Sequence, residues 1–159
     1  MIYKLTLGDW SEDGHGVSKD ILINCNCDNV ADIQNAYKVS CKKLGVQFND
    51  ETNDYTEKNL QHNDPRLIWT NYQENDMSVI AHDILNKAGC FDGIDVKEYD
   101  KRFYIESQEQ CARIIMNFIS ISMPDDFTYK IVKENYPYIN GHWSDNLNIE
   151  FGYGLFDRF

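Results

Sequence analysis

No stretch of this chain stays apolar for the ~20 residues that a membrane-spanning helix needs. The longest apolar-rich run, 114–123, is interrupted by Asn117, Ser120 and Ser122. No membrane partner is therefore expected. The chain opens Met1-Ile2-Tyr3-Lys4-Leu5, without the basic segment, apolar core and small-residue cleavage site of a signal peptide. A cytoplasmic location is the expectation. Repeats, low-complexity tracts and Pro/Ser linkers are missing too. Together with a length of 159 residues, this leads to the expectation of a single domain over residues 1–159.

Motifs of familiar chemistry are also lacking. The chain has no Gly-x-Ser-x-Gly nucleophile elbow, no phosphate-cradling Gly-x-x-x-x-Gly-Lys and no Gly-x-Gly-x-x-Gly. Gly152-Tyr153-Gly154 does not precede a helix; it reads as a strand with glycines on one face. The five cysteines are an odd number, which fits reduced thiols better than a disulfide framework. Cys25 and Cys27 form a Cys-x-Cys pair, but no second Cys pair completes a tetrahedral zinc site. Cys41 and Cys111 fall on apolar helical stripes, where a thiol packs as a small hydrophobe. No resident metal or cofactor is expected.

Positive charge is scarce: 15 bases stand against 26 acids, a net charge of -11. Phosphate binding needs a cationic surface, so nucleic acid is not expected as a partner. A basic protein suits this balance, and so does a cation. Aromatic residues make up 13% of the chain. Trp10, Tyr136, Tyr138, Trp143, Phe156 and Phe159 fall in expected loops or at the chain end, and rings with a polar handle are enriched at interfaces.

Hydrophobic residues, at 42%, suffice for a packed core. Their spacing predicts three helices. The first starts with Asp28 as N-cap, carries the stripe Val30, Ile33, Tyr37, Cys41 and Leu44, and stops at Gly45. The second starts near Asp76 and presents Met77, Ile80, Ala81, Ile84, Leu85 and Ala88. The third opens with Ser107 and Gln110 as a capping box and buries Cys111, Ile114, Ile115, Phe118 and Ile119. Period-two alternation predicts strands around Tyr3–Leu7, Phe127–Ile131 and Leu147–Leu155, with weaker ones over 19–24, 66–72 and 102–105. The expected fold class is α+β: a two-layer sandwich with three helices packed on one face of a mostly antiparallel sheet. A polar excursion at about 49–65 interrupts it.

Two segments concentrate groups that can do chemistry. Residues 8–16 read Gly-Asp-Trp-Ser-Glu-Asp-Gly-His-Gly, and 141–146 read Gly-His-Trp-Ser-Asp-Asn. Trp10, Asp13, His15, His142, Trp143 and Asp145 form the candidate binding set. If the first and last strands are neighbours, the two loops meet, and two His and two carboxylates make a set able to bind metal or move a proton. Turns use the same residue types for shape alone. His82-Asp83 sits on the second helix, where spacing assigns His82 to the solvent side. His62 lies in the polar excursion with no visible partner.

Two functions follow as expectations. One is a small acidic binding or inhibitor module, of the bacterial immunity or antitoxin kind, that covers a basic protein and has no chemistry of its own. The other is a metal-dependent or acid–base enzyme built on the two loops. Small-ligand sensing is the third alternative.

Overall fold

A computed structural model describes residues 1–7, 19–48, 64–68, 76–105, 108–132, 149–150 and 154–158. The chain enters through β1 (Ile2–Leu7), whose Tyr3 and Leu5 are wholly buried. It returns antiparallel as β2 (Lys19–Cys25), with Tyr3 opposite Ile23 and Leu5 opposite Ile21. Directly opposed residues share a face of a sheet, so these four side chains form one apolar layer. Leu22 points to the other face and is buried as well.

Helix α1 (Val30–Leu44) follows. Its cap is Asn29 rather than Asp28: Asn29 is extended, and its side chain accepts from the Ala31 amide at 3.1 Å. Either residue suits an N-cap, so the one-residue displacement is a choice that sequence alone does not make. Ile33, Ala36, Tyr37, Ser40 and Cys41 are buried, while Val30 and Leu44 at the ends are half-buried. Gly45 ends the helix at φ 70°, and its amide donates to the Cys41 carbonyl at 2.8 Å. A Cβ there meets nothing within 4 Å, so the backbone alone sets the cost of a side chain. Gly45→Ala is expected to lower stability by about 1–2 kcal/mol, and Gly45→Asn by less, as read from urea denaturation followed by circular dichroism.

Beyond α1, Val46, Gln47 and Phe48 turn into the core. Gln47 and Leu67 form an isolated parallel bridge, with the Ile68 amide on the Gln47 carbonyl at 2.7 Å. That bridge is what the described part of the expected 66–72 strand amounts to. The excursion at 49–65 lies outside the described residues except for Asp64 and Pro65.

The expected second helix divides. Asp76–Ser78 form a short strand, β3, and helix α2 runs Val79–Lys87. Ser78 closes the strand and caps the helix, accepting from the Ala81 amide at 3.1 Å. Met77 is buried from the strand, not from the helix. Next come β4 (Lys97–Tyr99) and β5 (Arg102–Tyr104), joined by a two-residue turn in which Asp100 (φ 47°) and Lys101 (φ 61°) are both left-handed. Such turns match strand twist but favour Asn and Gly. Residues with a Cβ cost roughly 1–2 kcal/mol each there, so this hairpin depends on what packs against it.

Helix α3 (Gln108–Ser120) buries the expected stripe, and Ala112 and Met116 besides. It is apolar around most of its circumference because it lies between α1 and the first sheet. Ser107, its expected cap, is outside the described residues. Three strands complete the set: β6 (Tyr129–Val132), β7 (Ile149–Glu150) and β8 (Gly154–Arg158). The single strand expected over 147–155 is thus two antiparallel strands, Ile149 opposite Phe156.

The class is mixed α+β, with three helices among the described residues and antiparallel pairing throughout the named strands. The strands form two sheets, not one: five strands in the order β6-β2-β1-β8-β7 and three in the order β3-β5-β4. Helix α3 packs on the larger sheet and against α1, whereas α2 packs on the smaller. Between α1 and α3, the Ser40 hydroxyl donates to the Phe118 carbonyl at 2.8 Å, and Ser122 lies 2.7 Å from it. No helix among the described residues is long and apolar enough to cross a membrane.

Candidate functional site

The six residues singled out in the sequence, Trp10, Asp13, His15, His142, Trp143 and Asp145, all lie outside the described residues. The topology does make the first and last strands neighbours: β1 pairs with β8, Leu7 opposite Gly154. His62 is also outside the described residues.

Within the described residues, a groove of about 430 Å³ opens between the start of α1 and the α3–β6 connection. One wall is Asn26, Cys27, Asp28, Asp32 and Asn35; the other is Ser122, Met123, Pro124, Asp126 and Phe127. The Asn26 side chain bridges the two walls. The Asn26 amide nitrogen donates to the Asp126 carbonyl at 2.8 Å, and its amide oxygen accepts from the Thr128 backbone at 2.9 Å. The Asn26 backbone amide also donates to the Thr128 carbonyl, at 3.3 Å. The connection itself is a tight turn, with the Phe127 amide on the Pro124 carbonyl at 2.9 Å.

Three carboxylates border this groove, and all three residues are exposed. Asp32 stands in the first turn of α1, where the helix dipole favours a negative charge. Asp28, released from the capping role that Asn29 fills, is left beside it. Asp126 comes from the facing wall. Met123 and Phe127 are half-buried and, with Pro124, give the groove an apolar side. Among the described residues, no Lys, Arg or His lines it. The chemistry of this lining matches a cation carried on an apolar stem.

Cys27 is the half-buried thiol at the groove; its Sγ lies 3.3 Å from the Asn29 carbonyl, to which it donates. The other four thiols are buried. Burial pushes Cys41, Cys90 and Cys111 up to about 12 and raises Cys25 too, so these four stay protonated at neutral pH. Among the described residues, no group of three or more His, Cys, Asp and Glu side chains is placed to hold a metal ion.

His82 departs from its expected place at the solvent. Its ring lies flat on Phe103 (centroids 3.6 Å apart, planes 11° apart) and beside Phe91 (5.1 Å, 23°). Burial holds its pKa below the ordinary value, with Asp83 and Glu98 pulling it back up.

The groove was hidden from the sequence because its walls are about a hundred residues apart. The signal present was Asn26-Cys27-Asp28-Asn29, which holds three residues suited to turns and caps, of which a helix needs one. No family model, curated protein or solved structure matches this chain.

Proposed function

We propose that this protein is a small acidic binding module of the immunity or antitoxin kind, acting in the cytoplasm. It docks through the groove onto the cationic surface of a basic protein partner and does no chemistry of its own. One observation carries the reading: two separate elements contribute Asp28, Asp32 and Asp126 to a groove that has an apolar side and, among the described residues, no cationic side chain in its lining. The net charge of -11 supports it, since a field of one sign speeds encounter with a partner of the other. A lysine or arginine side chain of the partner fits best, its stem along Met123, Pro124 and Phe127 and its head among the carboxylates.

The test uses a short peptide containing Arg and Lys, titrated into the labelled protein. Amide resonances over 26–35 and 122–128 should shift, and added salt should weaken binding. The triple change Asp28→Asn, Asp32→Asn, Asp126→Asn should weaken it about tenfold or more, equal to at least about 1.4 kcal/mol. Binding that ignores the triple change, or shifts confined to other residues, would overturn the reading.

The volume of the groove favours a second reading, sensing of a small organic cation, because small-molecule sites begin at ~300 Å³. A free diamine binding the groove more tightly than the peptide would select that reading.

A further inference from the structure

His82 occupies a place that the groove does not explain. Helix α2 buries Ala81 and Leu85 and turns Val79, Ile80 and Asp83 to solvent. His82 lies between these faces, half-buried, and its ring joins three elements. It belongs to α2. Phe103, on which it lies, is on the central strand of the small sheet. Phe91, on its other neighbour, is in the turn that follows α2. The stack is therefore a side-chain contact that ties α2 to the β4–β5 hairpin. That hairpin carries the turn with two left-handed non-glycine residues, Asp100 and Lys101. A strained turn held by flanking contacts gives way when a contact is lost.

We infer that His82 is a pH-sensitive latch, whose protonation releases α2 from Phe103 and loosens the hairpin, changing how Tyr99 and its turn are presented to solvent. Tyr99 is 76% exposed, the most open large hydrophobic side chain among the described residues, so the latch acts on a surface suited to contact. A neutral imidazole packs against phenyl rings as an aromatic partner. An imidazolium needs water or another acceptor at both of its N–H groups, and the half-buried place of the ring against Phe103 and Phe91 costs it part of that hydration.

The charged groups that act on the ring are Asp83 on its own helix and Glu98 on β4, opposite Phe103. Asp83 is engaged by Lys87 at 2.9 Å. The faces turned to the ring by β5 and by the turn after α2 are the neutral Phe103 and Phe91; Asp92, beside Phe91, acts on Tyr129. Cation–π attraction to the two rings works in the same direction as the two acids, but burial is the larger influence and lowers the pKa. The sign follows. The folded state favours the neutral ring, so its contribution is fully present above the ordinary value of 6.5 and is lost as pH falls through the lowered one.

The experiment follows the His82 ring protons by carbon–proton correlation spectra while hydrogen exchange, corrected for the intrinsic rate, is read at the β4 and β5 amides. Expected are a titration midpoint below 6.5 and a loss of protection in β4 and β5 of about tenfold across it, with β1 and β2 unchanged. His82→Phe keeps a three-ring stack and should remove the pH dependence of protection. His82→Gln, which cannot charge, should leave protection low and level. A midpoint at or above 6.5, protection unchanged through the titration, or either variant responding to pH as the wild type does would overturn the latch.

Discussion

Phe118→Ala will remove about 3–5 kcal/mol of folding stability, measured by urea denaturation. Phe118 is wholly buried near the end of α3. Its ring meets the edge of Phe48 (centroids 5.1 Å, planes 81° apart) and tilts against Tyr37 (5.7 Å). Tyr37 and Phe48 are themselves linked, the Phe48 amide donating to the Tyr37 hydroxyl at 3.2 Å. Three elements thus converge on one ring: α1, the segment after it and α3. Truncation loses the transfer energy and leaves a cavity that packed neighbours fill only in part. Domains of this size hold about 5–15 kcal/mol in all, so the variant will sit near the limit of folding. Phe118→Leu, which keeps most of the volume, should cost markedly less. A loss under about 1 kcal/mol for the alanine variant would show that the three rings do not pack as described.

The second large effect is expected at Asn117. Its amide nitrogen donates to the Cys90 carbonyl at 2.9 Å, and its oxygen accepts from the Tyr129 hydroxyl at 2.5 Å. The same hydroxyl lies 3.3 Å from the Arg113 carbonyl, so its single proton is shared between the two oxygens, with the shorter contact to Asn117. One side chain on α3 therefore pins the turn after α2 on one side and the start of β6 on the other. Asn117→Ala should cost about 1–3 kcal/mol, because both partners lose a bond in a partly dry setting. Tyr129→Phe should cost less on its own, since Asn117 still holds Cys90. In the double variant the two costs should sum to more than the measured total, because the bond they share is lost only once. Strict additivity in urea denaturation would mean that the two side chains act independently.

Asn117 shows how far the sequence could be read. In the linear pattern it is an interruption of an apolar run; in the fold it is a pin between elements. The apolar stripes of α1 and α3, the stop at Gly45 and the alternation of β1 and β6 were all legible, because each is a local signal, a period of 3.6 or 2 residues or a single stop residue. Three-residue strands such as Asp76–Ser78 are too short to display a period, so β3 was absorbed into the helix it precedes. Alternation continues on both sides of a chain reversal, so Ile149 and Leu155 looked like one strand when they belong to two. The division into two sheets is a matter of pairing between distant segments, and no local pattern encodes it. The groove stayed hidden for the same reason, and His82 because helical spacing ranks its face without revealing which rings close over it. The six loop residues Trp10, Asp13, His15, His142, Trp143 and Asp145 lie outside the described residues, and a metal titration monitored by melting temperature would test the proposal that they form a site.

The Asn26 clasp also sets a schedule. Its partners, Asp126 and Thr128, follow it by 100 and 102 residues. Closing a loop of that length is entropically costly, and contacts of such separation form slowly. Synthesis delivers the first wall of the groove long before the second. A nascent chain on the ribosome would thus display Asp32 on a forming helix, and Asp28 just ahead of it, with nothing facing them. The groove comes into being only once α3 and its exit turn have been made and docked. A ligand of this groove would therefore meet only a folded chain, because both walls must be in place before the groove exists.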